Sequence, residues 1–366
     1  FAGVASDLGI ENLGVGLAIY APFGGQATWD DNDEYKDSEA YPGAVDGVQR
    51  WATMDGSIKE IYLSTAVAYH LPGPRLSIGA AFSVVSEAVD TIRARTAIGH
   101  DDLVGSTGAL VEGRSHVDVS GTTFAAALGL IWQPTDELHI GLSYQSQPGF
   151  GETTQTGDLN TKFGNGPADT SPIDFTQELP DVTRFGLRYK AKSNLELRFA
   201  ADYTRWSVFK NQCLMDANDP NANCTLDDRG GSIAGVTQSV IVNIERNWKD
   251  TFGIRGGASY WLDEDKEIAG GLTFDSNAVP NGSIDPALID MNKLVATIGG
   301  RFRLAESILL NLSYTHVYYI ERDVPVRTRD AMGQDIGFSA PSTTPDMAGR
   351  YQQMIGLLNL GVEYQF

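Results

Sequence analysis

Leu358-Asn359-Leu360-Gly361-Val362-Glu363-Tyr364-Gln365-Phe366 closes the chain. Apolar residues at 358, 360, 362, 364 and 366 alternate with Asn, Gly, Glu and Gln. Period two is the mark of a strand with one apolar and one polar face. A strand of this kind that ends on an aromatic carboxy-terminus points to a membrane β-barrel. The same alternation returns upstream at Leu13 to Ile19, Ile61 to Tyr69, Leu76 to Val84, Phe124 to Trp132 and Leu138 to Tyr144. It returns again at Thr183 to Tyr189, Leu195 to Tyr203, Phe252 to Tyr260, Leu294 to Phe302 and Ile308 to Tyr314.

The connections alternate short and long. The short ones are LPGP at Leu71, PTDE at Pro134, AKSN at Ala191, DEDK at Asp263 and AES at Ala305. The long ones cover about 22–57, 94–116, 150–176, 210–246, 276–291 and 321–352. Short inner turns and long outer loops are the layout of bacterial outer-membrane barrels. The fold class expected is therefore all-β, a transmembrane antiparallel β-barrel filling residues 1–366 as one domain. Counting back from the last strand gives twelve full strands and a stub at Phe1 to Val4. Barrel strand numbers are even in this class. The expectation is fourteen strands, with the first strand lying before Phe1.

Bulk composition agrees. The 366 residues are 42% hydrophobic and include 40 glycines and 14 tyrosines. No apolar run approaches the roughly 18 residues of a membrane helix. Barrel strands show lipid only every second residue, so a low mean hydropathy of −0.19 is compatible with a membrane protein. The net charge of −20 excludes a nucleic-acid partner, which needs a basic face. Eight acids from Asp30 to Asp55 face only Lys36 and Arg50, the composition of a solvated loop. Aromatics sit near the short turns (Tyr69, Trp132, Tyr189, Tyr260, Phe302, Tyr364) and near the long loops (Tyr20, Trp206, Trp248, Tyr318), where membrane interfaces are expected.

Cys213 and Cys224 are separated by ten polar, turn-forming residues, and a local disulfide in an oxidising compartment is expected. Asp216, Asn218 and Asp227 resemble a calcium loop, but its glycine and closing glutamate are absent, so no metal is expected. No nucleophile motif, HExxH or phosphate loop occurs, and the five histidines lack metal-ligand spacing. The chain is not expected to be an enzyme or to carry a cofactor.

If the apolar face meets lipid, the other face lines the lumen. Early strands present small residues there, such as Gly14, Ala66, Gly79 and Ala127. Later strands present Arg184, Arg188, Glu196, Arg198, Asp202, Arg255, Arg301, Arg303 and Glu363. Two readings of this charged wall stand. It is a mutually neutralising lining, or it is a path for an anionic headgroup, which guanidinium groups pair with well.

Several segments resemble the FadL-type long-chain fatty acid and hydrophobic-compound transporters of Gram-negative outer membranes. They are Ala21-Pro22-Phe23-Gly24-Gly25 with Trp29, SIKEIYLSTAVAY from Ser57, ELPDV from Glu178 and ADYTRWSVF from Ala201. NWKDTFGIRGGASY from Asn247 and TFDSNAVP from Thr273 are the most specific. The resemblance implies fourteen strands, an amino-terminal hatch, capture of a hydrophobic ligand by outer loops, and lateral exit through a gap in the wall. The hatch has no counterpart in this sequence and is expected, like the first strand, to be missing from it. In the loops matching the family's capture groove, Leu103, Val104, Leu110, Val111, Leu159, Phe163 and Phe175 are the candidate ligand contacts. Passive uptake of hydrophobic molecules is the implied role, with outer-membrane lipid and lipopolysaccharide as surroundings. The alternatives are an interaction barrel whose acidic loops bind a partner protein, and a general porin.

Overall fold

The computed structural model describes residues 1–38, 42–96, 112–164, 166–225, 233, 238–325 and 347–364. The first strands are β1 (Ala2–Ser6), β2 (Leu13–Thr28), β3 (Asp55–Leu71), β4 (Leu76–Thr96) and β5 (Glu112–Trp132). Next come β6 (Leu138–Gln145), β7 (Thr153–Phe163), β8 (Ala168–Gln177), β9 (Val182–Lys192) and β10 (Leu195–Thr204). They are followed by β11 (Asn211–Asp216), β12 (Val240–Glu245), β13 (Thr251–Asp263), β14 (Lys266–Asp275) and β15 (Lys293–Ala305). The chain ends with β16 (Ile308–Tyr319), β17 (Arg322–Val324), β18 (Gly349–Tyr351) and β19 (Met354–Tyr364).

Thirteen of these strands follow one another around an antiparallel wall: β1 to β6, β9, β10, β13 to β16 and β19. These correspond to the twelve strands and the amino-terminal stub read from the sequence. The wall places its apolar side chains outward. Leu358, Leu360, Val362 and Tyr364 are 62–74% exposed, as a lipid-facing row must be. Ile61, Leu63, Val67 and Tyr69 on β3, and Ile78, Phe82 and Val84 on β4, form the same face. Above these positions the outward row turns polar, so the membrane-spanning segments are 61–71 on β3 and 76–84 on β4. That is the length a tilted strand needs, about 9–11 residues.

The long connections carry structure of their own. β4 and β5 continue to Thr96 and from Glu112, well into the segment expected as a loop. The upper part of β5 leaves β6 and pairs instead with β7, through Gly113↔Phe163 to Ser120↔Thr156. β7 pairs with β8, β8 with β11, and β11 with β12. A second storey of strands thus stands on one side of the barrel. Its core is Val89, Val117, Val119, Leu159, Ile173, Phe175 and Leu214, all buried. Cys213 on β11 is bonded to Cys224, tying the following turn to the storey.

Candidate ligand cavity and lumen wall

The β2–β3 ladder breaks at a bulge where β2, itself continuous, leaves the membrane. Tyr20 pairs with Tyr62 and Phe23 with Glu60, so Ala21 and Pro22 stand against the single residue Ile61. The sequence explains the break locally. Pro22 has no N–H to give to a ladder, and proline within a sheet is confined to edges and bulges. Gly24 follows with φ +142°, and a Cβ there would lie 2.8 Å from the Ile58 carbonyl oxygen.

Behind the break lies a cavity of about 610 Å³. Pro22, Phe23 and Gly24 form one side, Ile58, Val89 and Val117 a second, and Phe175 and Leu214 of the upper storey a third. An aromatic group lines the fourth. Trp206 lies 4.8 Å from Trp248 and 5.8 Å from Phe23, and Phe209 lies 4.8 Å from Trp248, measured between ring centroids. Such edge and tilted contacts fix the rings as well as bury them. Trp206 and Trp248 are therefore not the lipid-interface aromatics expected from their position near long loops. They turn inward because β10 and β13 end beside the break, where the cavity offers the larger apolar surface. The Trp248 indole N–H is buried and has no partner among the described residues.

Four cations touch the cavity, and three are neutralised. Arg246 donates to Gln212 at 2.7 and 2.9 Å and pairs with Asp285. Arg255 pairs with Asp202 and, at 3.1 Å, with Asp275. Lys293 pairs with Asp290 at 3.0 Å. Arg93, high on β4 and outside the membrane span, has no acceptor among the described residues. Burial first, then Arg95 and Arg246, push its guanidinium down to about 10, so it stays charged at neutral pH. A charged donor in an apolar chamber is an incomplete pair.

The candidate ligand contacts divide. Phe175 lines the cavity, and Leu159 packs beside it in the storey core. Phe163 is 37% exposed at the end of β7, away from the cavity lining. Leu103, Val104, Leu110 and Val111 lie outside the described residues. Phe23, Arg93, Trp206, Phe209 and Trp248 were not among the candidates. Pro22 inside a strand was the available signal for the break.

The charged wall divides into separate local groups, of which only some are one-to-one ion pairs. Arg188 and Arg198 each donate to Glu196, at 2.7 and 2.6 Å. Arg184 donates to Gln145 at 3.4 Å. Arg301 meets Glu363 at 3.4 Å, and Arg303 meets Asp265 at 3.1 Å. Arg255 and Asp202 belong to the cavity rim. A second space of about 490 Å³ lies against Arg198 and Arg301, opened by Gly257, Gly270, Gly299 and Gly300.

A lipid-facing antiparallel wall, short turns at one end and a bulged strand beside an aromatic chamber define a class, the outer-membrane β-barrel. The chain belongs to the outer membrane protein transport family (OMPP1/FadL/TodX), which it matches over residues 5–366. The family consists of outer-membrane transport channels and not enzymes. An outer membrane protein of Neisseria meningitidis serogroup B is 22% identical over 272 residues, 70% of this chain and 54% of that relative. The chain thus spans about half that relative's length. Among solved structures, a Pseudomonas aeruginosa FadL homologue superposes with a TM-score of 0.74 at 17% identity, covering 99% of this chain and 77% of that one. The Ralstonia pickettii toluene transporter TbuX gives 0.57 at 13% identity, covering 85% and 74%. The Pseudomonas putida toluene transporter TodX gives 0.57 at 14% identity, covering 97% and 80%. These likenesses are of fold.

Proposed function

We propose that the chain is a channel for passive uptake of hydrophobic molecules, and that its ligands are long-chain fatty acids or compounds of the same chemistry. The cavity with Arg93 carries this reading. An apolar chain gains by leaving water for the aromatic side of the chamber. A carboxylate supplies the anion that Arg93 lacks, in a charge-assisted hydrogen bond. The Trp248 indole N–H is a second donor for the same head. A hydrocarbon such as the toluene carried by the two similar transporters would leave the guanidinium desolvated and unpaired, which is costly. The bulge in β2 supports sideways exit into the bilayer, the route that the resemblance to the family implies.

Ligand binding to the purified chain tests this through tryptophan fluorescence, since Trp206 and Trp248 stand in the cavity. A charged hydrogen bond contributes about 1.5–3 kcal/mol. Arg93→Leu is expected to weaken a C16 fatty acid roughly tenfold to hundredfold and to leave toluene binding unchanged. Equal weakening of both ligands would refute the headgroup assignment. Planar-bilayer recording separates the channel from a general porin, since high, stable ion conductance would contradict the proposal.

A further inference from the structure

Glu60 on β3 and Glu87 on β4 stand directly opposite each other in the ladder. Both face inward, and they are 0% and 1% exposed. They lie just above Ile61 and Val84, where the lipid-facing apolar row ends, and so outside the membrane-spanning segments. Glu60 is also the partner of Phe23, the first paired residue after the Ala21-Pro22 break. The carboxyl pair therefore stands in the wall at the break itself.

Two like charges directly opposite destabilise a sheet, and a buried carboxylate needs a counter-charge. The surroundings supply donors to one carboxyl only. Thr153 Oγ1 of β7 donates to Glu87 at 3.2 Å, and Gln155 Nε2 donates to it at 2.7 Å. Neither oxygen of Glu60 accepts from a donor among the described residues. The other titratable groups facing the pair are Tyr62 on β3 and Tyr20 on β2. β6 offers the neutral Gln145, and β7 the neutral Thr153 and Gln155. Among the described residues no Lys, Arg or His pairs with either carboxyl.

We infer that Glu60 and Glu87 hold one proton between them, carried on Glu60, and that this proton keeps β7 seated against the wall beside the break. The distribution of donors fixes the order. Thr153 and Gln155 stabilise an anion on Glu87, and a protonated Glu60 donates its O–H to that anion. Burial first, and then the facing Glu87, push the Glu60 carboxyl up to about 9. Burial raises Glu87 as well, opposed by Gln155 and Thr153. Loss of the proton leaves two facing carboxylates without a counter-ion. The pair is relieved when β7 lifts and water enters, so the storey loosens at the break as pH rises from the ordinary carboxyl value of 4.5 toward about 9.

Infrared spectroscopy of the full chain in detergent and D2O reads the proton directly. At pH 7 a protonated-carboxyl C=O band is expected in the wild type, absent in Glu60→Gln and retained in Glu87→Gln. Hydrogen exchange of the β7 amides, referenced at each pH to Glu60→Gln, is expected to rise at least tenfold in the wild type between the ordinary carboxyl value of 4.5 and about 9, and to level off above it. A wild-type spectrum with no such band at pH 7 overturns the proposal, as does a band that survives Glu60→Gln. If Glu60→Gln does not fold, loss of the band in Glu87→Gln overturns the assignment to Glu60. A calcium-dependent rise in melting temperature without the band would make the pair a cation site and sink the proton.

Discussion

The lower and upper halves of β4 and β5 have the same backbone and opposite chemistry. Below, Phe82, Val84, Phe124 and Leu128 point outward and are 39–63% exposed. Above, Val85, Val89, Val117 and Val119 point inward and are at most 5% exposed. Val84 and Val85 are neighbours, and the apolar row changes from even to odd positions between them. On β5 the change falls between Val119 and Phe124. The ladder itself runs through unbroken from Leu76↔Trp132 to Thr96↔Glu112. What reverses is the solvent. Lipid outside a barrel selects apolar residues on the outer face, whereas water outside the second storey selects them on the inner face. The phase of the alternation thus marks the membrane surface to within a few residues.

The largest effect comes from placing a charge in the storey core. Ile173 is fully buried, and Ile173→Asp leaves an unpaired carboxylate there, a class of change that costs more than about 4 kcal/mol. Limited proteolysis is expected to clip the β7–β8 hairpin while the barrel keeps its resistance to denaturation in detergent gels. Loss of the barrel as well would show that the two storeys fold as one unit.

Phe82→Arg tests the lower half. Phe82 faces lipid and stacks on Phe124 at 5.5 Å, and an arginine on the lipid face costs about 2–4 kcal/mol at the midplane and less toward the surface, so Phe82→Arg is expected to cost on the order of 1–3 kcal/mol. Ser86→Arg, two outward positions higher on the same strand, is expected to stay within about 0.5 kcal/mol. Refolding into vesicles across a urea series reads both, and equal costs would move the membrane surface above Ser86.

The smallest effect is expected from the lumen pairs. Arg301 and Glu363 are both nearly half exposed, and an exposed ion pair contributes about 0–1 kcal/mol. Arg301→Gln is therefore expected to leave the unfolding midpoint in urea almost unchanged. A large shift would mean that the lumen wall behaves like a buried network.

The same reversal explains what could be read in the chain. The membrane halves of the strands and the direction of the last one were legible because lipid imposes a steady phase over nine or more residues. The upper halves fall out of phase, so 94–116 and 150–176 looked like loops. Leu159 and Phe175 then read as isolated apolar residues, although they occupy β7 and β8. The cavity was less legible still, because Phe23, Phe175, Phe209 and Trp248 come from strands or strand ends far apart in sequence. Trp206 and Trp248 lie within the segments that carried the family resemblance, and their nearness to strand ends suggested a membrane interface instead. Arg93 and the Glu60–Glu87 pair carry no motif; only the fold places the first in the cavity, and only the register places the second at the break.

The pairing of β8 with β11 imposes an order of assembly. Most strands of the wall meet their sequence neighbour, so they close small loops and zip quickly. β8 and β11 meet only after the β9–β10 hairpin between them has formed and set Gln177 beside Gln212. The chamber therefore matures only after that hairpin is in place. A chain whose lower barrel is complete can still lack its chamber, and a check on the barrel alone would not tell the two apart.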